Sequence, residues 1–240
     1  MIKAIIFDVD DTLYDQKSPV ETALAQTLDH ALSASELAVI FNRFRDFTDH
    51  TYHQVMTHEL TLKAWQTARL RHALALLNLP TISTDWAIQF EMAYQQALKK
   101  IQLFSGLSTT LAKLSHHFQI GIITNGPTEI QRQKLHQLQI ERYVHADNIF
   151  IAETLGIAKP DPSIFTTWAH QAGIRANQAV YVGDNATLDM SGAKHAGWQT
   201  FWFNHRQALA TSSTVIPDQT IETPDELSDL LMALVQAVTI

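Results

Sequence analysis

Ile5-Ile6-Phe7-Asp8-Val9-Asp10-Asp11-Thr12-Leu13 decides the fold: the apolar run that begins at Met1 turns, within one residue, into three carboxylates spread over four positions. A short apolar run bounded by polar punctuation is a buried strand. Three acids packed where that strand leaves the core repel one another, and the crowding costs energy unless a cation is near. An acidic turn capping the next helix would account for one or two of them, not three. A calcium-binding helix-loop-helix needs Asp or Asn fifth and Gly sixth, where this chain has Thr12 and Leu13, and is rejected.

Four more apolar runs resemble the first: Gln119 to Thr124, Asn148 to Ala152, Ala179 to Gly183 and Thr200 to Phe203. Helix-length segments of mixed polarity lie between them, a rhythm that predicts an α/β fold with a doubly wound, parallel, Rossmann-like sheet. Ligands of such sheets bind at the carboxyl ends of the strands. From about Ser18 to Leu103 the rhythm breaks, with no strand and four plausible amphipathic helices. The clearest runs from Leu60 to Leu79, with Leu62, Trp65, Leu70, Leu74 and Leu77 on one face and Pro80 as its stop. The expected organisation is a core of residues 1–17 and 104–240 with a helical cap, residues 18–103, inserted after the first strand. Near the end, Thr223-Pro224-Asp225-Glu226 reads as a helix start, and the helix should run to about Val238.

Composition narrows the function classes. The chain has 240 residues, 46% hydrophobic and 17% charged, with a net charge of -7. That is ordinary globular usage, and it supplies no basic field for a nucleic-acid backbone or an anionic membrane surface. With no cysteine there is no thiol nucleophile, thiolate metal site or disulfide, which fits a reducing, cytoplasmic setting. No window reaches the ~20 apolar residues of a membrane helix, and the N-terminal run is too short for a signal-peptide core.

Three later strand ends also carry chemistry. Thr124-Asn125-Gly126 offers a hydroxyl and flexible backbone N–H groups where a helix begins, an arrangement suited to phosphate, although Asn-Gly is equally a turn. Lys159, between Gly156 and Pro160, is either a solvated lysine or a fixed point charge for phosphate. Asp184, Asn185 and Asp189 follow the fourth run, and two acids five apart supply hard oxygen ligands for Mg2+. His50, His53 and His58 cluster without zinc spacing, and Trp65, Trp86 and Tyr94 sit at helical spacing that favours packing.

Together the four segments, in this order, resemble the haloacid dehalogenase superfamily from about Ile5 to Asn204: Asp-x-Asp-x-Thr, Thr-Asn-Gly, Lys-Pro before a helix, and Gly-Asp with a later Asp. The resemblance implies an Mg2+-dependent phosphatase. Asp8 would be the nucleophile, and Asp10 the acid and base, with a pKa above that of Asp8. Thr12 would hold Asp10, and Lys159, Thr124 and the amides of Asn125 and Gly126 would bind phosphate. Asp8, the Asp10 carbonyl, Asp184 and Asp189 would hold the metal, with Asn185 ordering its waters. Asp10 argues against a dehalogenase and Thr12 against a sugar-phosphate mutase. Asp11 stands where glycine is more frequent, which bears on the local turn, and Tyr14 and Asp15 fall where hinge packing or leaving-group contact is expected. Ile120 to Gly126, Leu155 to Pro160 and Phe201 to Asn204 look like the house-cleaning pyrimidine 5'-nucleotidases. The expected substrates are small phosphomonoesters, nucleoside 5'-monophosphates first, with phosphoglycolate or sugar phosphates as the alternative. A non-catalytic phosphate-binding regulatory protein is the less favoured reading.

Overall fold

The structure, a computed structural model, describes residues 1–77, 82–208 and 215–239. Its helices are α1 (Lys17–Thr27), α2 (Ala34–Thr51), α3 (His53–Met56), α4 (Leu62–Leu74), α5 (Thr84–Leu98), α6 (Leu107–Leu114), α7 (Thr128–Gln137), α8 (Ala152–Leu155), α9 (Pro162–Gln171), α10 (Ser191–His195) and α11 (Pro224–Thr239). Its strands are β1 (Ala4–Phe7), β2 (Gln119–Thr124), β3 (Ile149–Ile151), β4 (Ala179–Gly183), β5 (Gln199–Phe203) and β6 (Gln219–Ile221). Two compact units emerge, Met1–Asp15 with Gln102–Ile240, and Gln16–Ile101.

All six strands of the first unit are parallel, in the order β3-β2-β1-β4-β5-β6. Sequence reading found five of them. β6 escaped because it has three residues, two of them exposed, and so lacks an apolar run. β1 is wholly buried at the centre, with Phe7 level with Ile122 of β2 and Val182 of β4. Because the strands run the same way, Asp8, Thr124 and Asp184 all leave the sheet at its carboxyl edge. The chain moves outward from β1 on one side and from β4 on the other, so the strand order reverses between them. A crevice for ligand opens at such a reversal.

Both faces of this sheet are covered. On one, Ile6, Ile123 and Tyr181 pack with Ile164, Phe165 and Trp168 of α9 and Ala193 of α10. Elsewhere in the unit α6 and α11 pack together, burying Leu107, Leu111 and Leu114 with Leu227 and Leu231. α11 begins as its sequence predicts: the Thr223 hydroxyl accepts the Glu226 N–H at 3.2 Å, and Pro224 takes the first helical position.

The second unit is helical, with no strand among the described residues. Its longest helix, α2, starts at a reciprocal cap: Ser33 accepts the Glu36 N–H at 3.3 Å, and Glu36 accepts the Ser33 N–H at 2.8 Å. α4 is shorter than its hydrophobic spacing predicts, starting after the Thr61 cap and ending at Leu74. Leu79 and Pro80, expected at its end, lie outside the described residues. The aromatic residues here pack. Trp65 is buried, Tyr94 stacks on Phe90, and the Trp86 indole N–H donates to the Thr27 carbonyl at 2.9 Å. The Arg69 guanidinium lies 4.0 Å over the Phe44 ring and pairs with Glu91 at 3.2 Å, while its buried Nε has no hydrogen-bond partner among the described residues.

Candidate active site

Asp8 extends the ladder one residue past β1, its N–H donating to the Val182 carbonyl at 2.9 Å. Its position is therefore set by the sheet. The chain then turns sharply, with the Leu13 N–H returning to the Val9 carbonyl at 3.0 Å and Asp11 in the left-handed region at φ 61°.

Lys159 is the centre of the charge arrangement. Its buried ammonium donates to Asp8 Oδ1 and Asp189 Oδ1, both at 2.6 Å, and to the Tyr181 hydroxyl at 3.0 Å. Those contacts use all three of its protons. Tyr181 passes its own proton to the Ile123 carbonyl at 2.7 Å. The backbone of Lys159 is clamped by one side chain: its N–H donates to Asn125 Oδ1 and its carbonyl accepts from Asn125 Nδ2, each at 3.0 Å. The Asn125 side chain thus ties the lysine loop to the end of β2. Thr124 is fully buried, with only a long 3.4 Å contact from its hydroxyl to the Asn125 carbonyl.

Asp189 sits in a wide helical turn, Ala186–Met190, that Asn185 caps by accepting from the N–H groups of Thr187 and Leu188, both at 2.9 Å. The Asn185 N–H donates to Asp189 Oδ2 at 2.9 Å. A side chain on Gly183 would run into the Asp189 carboxylate, so glycine is what lets the carboxylate approach the strand end. Carboxylate oxygens of Asp8, Asp184 and Asp189 all lie within 4.8 Å of one another. Three hard oxygen donors with one lysine between them leave excess negative charge, which fits a divalent cation. Asp8 registers that excess. Burial raises its pKa, Lys159 pulls it down, Asp189 and Asp10 push it up again, and it settles at about 7. Lys159 shows the converse: burial works against its charge, but Asp189 and Asp8 hold it well above the ordinary lysine range.

Asp10 departs from expectation. Lys134 Nζ donates to both of its oxygens, at 2.7 and 2.8 Å, Gln131 Nε2 donates to Oδ2 at 2.8 Å, and the Tyr14 hydroxyl donates to Oδ1. A carboxylate has about four lone-pair sites. All are taken, which leaves none for Thr12, whose buried hydroxyl has no hydrogen-bond partner among the described residues. Tyr14, Gln131 and Lys134 therefore do the holding expected of Thr12. The expected pKa order is also reversed. Burial favours the neutral acid at Asp10, but the charge and hydrogen bonds of Lys134, with those of Tyr14 and Gln131, outweigh it and lower its pKa. The carboxylate of Asp10 faces α7 and stands outside the cluster of Asp8, Asp184 and Asp189.

Asp11 is fully buried, and its carboxylate receives Arg206 at both oxygens, Nε at 3.0 Å and Nη2 at 2.8 Å. Arg206 also pairs with Asp15, and His205 Nε2 lies 3.0 Å from the Asp11 carbonyl. Aspartate is among the few residues tolerated at positive φ, and the guanidinium compensates its buried charge. Sequence reading missed Lys134, Gln131, Tyr181 and Arg206. One signal was present: Gln131 and Lys134 are three apart on the helix that follows Thr124-Asn125-Gly126, so they share a face.

The haloacid dehalogenase-like hydrolase model matches residues 2–197. The chain is similar to a glyceraldehyde 3-phosphate phosphatase of Methanopyrus kandleri, 28% identical over 98% of this chain and 99% of that protein. It is also similar to a pyrimidine 5'-nucleotidase of Escherichia coli, 33% identical but over 52% of this chain and 55% of the nucleotidase. Among solved structures it shares the fold of a putative hydrolase of the same family from Bacillus subtilis, crystallised with magnesium. That likeness has a TM-score of 0.71 at 22% identity, covering 96% of this chain and 98% of that one.

Two outcomes follow from the charges. Arg206→Met strips the buried Asp11 carboxylate of its bidentate partner, and removing one member of a buried pair costs ~3–5 kcal/mol. The loss should fall near the lower figure, because the Arg206 side chain is 28% exposed, and Asp11→Gly in the same chain should restore most of it. Urea unfolding of the three proteins checks both. The second concerns pH without added metal. Asp8 titrates near 7 folded against an ordinary 3.8, so the folded state binds more protons between those values. Its stability contribution is present below about 4 and is lost as pH rises towards 7. The unfolding free energy of wild type minus that of Asp8→Asn should fall over that window and then level off.

Proposed function

We propose, on the premise that the chain belongs to the haloacid dehalogenase-like hydrolase family, that it hydrolyses small phosphomonoesters through an aspartyl-phosphate on Asp8. The observation that carries this is Lys159 shared between Asp8 and Asp189 beside the three-carboxylate cluster. A nucleophile, a fixed cation and a metal-binding set meet at the strand-order reversal.

A phosphate dianion repels an anionic nucleophile, so positive charge must meet the phosphoryl oxygens. Mg2+ held by Asp8, Asp184 and Asp189 would supply that charge beside Lys159. Asp8 attacks phosphorus as the bond to the ester oxygen breaks, and the departing electron pair takes a proton from Asp10. Water then attacks phosphorus, its proton returns to Asp10, the bond to Asp8 breaks and inorganic phosphate leaves. The resting Asp10, held as a carboxylate by Lys134, is ready for that second step. A dianionic substrate arriving beside it raises its pKa and favours the protonated form the first step needs. The Asn125 and Gly126 N–H groups and the Thr124 hydroxyl supply donors for phosphate.

For the substrate, we infer a phosphorylated small sugar or aldehyde. The M. kandleri relative named for glyceraldehyde 3-phosphate spans nearly the whole chain, whereas the nucleotidase aligns over about half of it. The nucleoside monophosphate reading rests on that half and on the Thr124-Asn125-Gly126 and Lys159-Pro160 segments. No described helix is long and apolar enough to cross a membrane, and the absence of cysteine supports a cytoplasmic setting.

Asp8→Asn should abolish turnover of p-nitrophenyl phosphate with Mg2+ present. Asp10→Asn should release one equivalent of p-nitrophenol in a burst and retain hydroxylamine-labile phosphate on the protein. Undiminished Asp8→Asn activity sinks the nucleophile assignment. On a panel of substrates, kcat/KM should be higher for three- to five-carbon phosphates than for nucleoside monophosphates, and the reverse ranking selects the nucleotidase reading.

A further inference from the structure

The helix that follows the Thr124-Asn125-Gly126 loop carries a second set of polar groups. Gln131 and Lys134, 2% and 4% exposed, both lie within α7, whose other polar residues include Glu129, Arg132 and Gln133 on its outer side. Burying a lysine requires a partner, and here it is the carboxylate of Asp10, taken at 2.7 and 2.8 Å. Gln131 Nε2 bridges: it donates to Asp10 Oδ2 at 2.8 Å and to the Asn125 carbonyl at 3.0 Å. A side chain on Gly126, which stands at φ 131°, would come within 2.6 Å of that nitrogen. The glycine therefore leaves room for the bridge.

Three elements meet in these contacts. The loop after β2 is bound to the Lys159 backbone through the Asn125 side chain and to Asp10 through Gln131, while Lys134 grips Asp10 from the next turn of the same helix. A shift of the Thr124-Asn125-Gly126 loop would move Gln131 and Lys134 with it, and Asp10 with them. Orientation matters to such a group, since proton transfer requires the carboxylate within hydrogen-bond reach of the reacting oxygen.

We propose that Gln131 and Lys134 are positioning residues that align the Asp10 carboxylate against the loop binding the phosphate, and so set the efficiency of both proton transfers. The inference rests on the reading of Asp10 as acid and base. Lys159 pairs with Asp8 and Asp189; Lys134 pairs with Asp10 alone among the described ion pairs.

The test compares leaving groups. Wild type, Lys134→Met, Lys134→Arg and Gln131→Leu are assayed with Mg2+ on p-nitrophenyl phosphate, whose phenolate leaves without a proton, and on glycerol 3-phosphate, whose alkoxide needs one. Lys134→Met should lose about 10- to 100-fold in kcat/KM on the alkyl ester, up to the lower end of the ~10²–10⁴ that general acids supply, and only a few-fold on the aryl ester. On the aryl ester it should also show a p-nitrophenol burst, because water attack on the phospho-enzyme slows. Lys134→Arg should recover part of the loss, and Gln131→Leu should show the same split more weakly. Equal losses on both esters without a burst, or no loss at all, overturn the proposal. If Lys134→Met fails to fold, Gln131→Leu and Lys134→Arg decide, and an unsplit profile in both counts against it. Asp10→Asn separates the two readings: if that variant keeps full activity on the alkyl ester, the reading of Asp10 has failed and this inference with it. If Asp10→Asn behaves as an acid–base variant while the α7 variants match wild type, this inference alone has failed.

Discussion

One buried ammonium holds the site in its present form. Lys159 stands between Asp8 and Asp189 with its protons shared among two carboxylates and a tyrosine hydroxyl, and each carboxylate would be costly to bury without it. The dependence runs both ways, since a buried lysine left alone would lose its charge. The lysine belongs to a loop whose backbone is fixed by Asn125 at the end of a different strand, and Asp189 belongs to a turn braced by Asn185. Removing any one support disturbs a network in which every member has at least two contacts.

Parallel topology makes such a network available. Strands β1, β2 and β4 are adjacent and run together, so the residues just past their ends converge although they lie far apart in the chain. The register places Phe7 level with Ile122 and with Val182, which leaves Asp8 level with Gly183, one step before the acids that follow it. A sheet with one antiparallel neighbour would send those acids to the opposite edge.

Much of this was legible because it lies in short, local patterns. An apolar run followed by Asp8, Asp10 and Asp11, or by Asp184 and Asp189, announces a strand end with chemistry, and the family resemblance rests on those segments. What was hidden depends on groups that meet only in the fold. Lys134 and Gln131 sit in a helix, TEIQRQKLHQ, so polar that it reads as a solvated face. Their burial comes from Asp10, more than a hundred residues earlier. Arg206 likewise has no local mark, and Asp11 could be seen to replace a glycine without any sign of what would neutralise it. The expectation that Thr12 orients Asp10 failed for a countable reason: the four acceptor sites of that carboxylate are filled by other donors.

The central place of β1 has a consequence for how the chain is made. β1 leaves the ribosome well before the residues it pairs with, Ala4 with Gln119 on one side and Ala179 on the other. Until then its apolar edges have no partners, and the Asp8 loop lacks Lys159, Asp189 and finally the Arg206 that holds Asp11. Assembly of the surroundings of Asp8 is thus a late event of synthesis, and non-local pairing of this kind slows folding. A nascent chain stopped short of residue 159 carries Asp8 without the cation and the carboxylates that surround it in the fold.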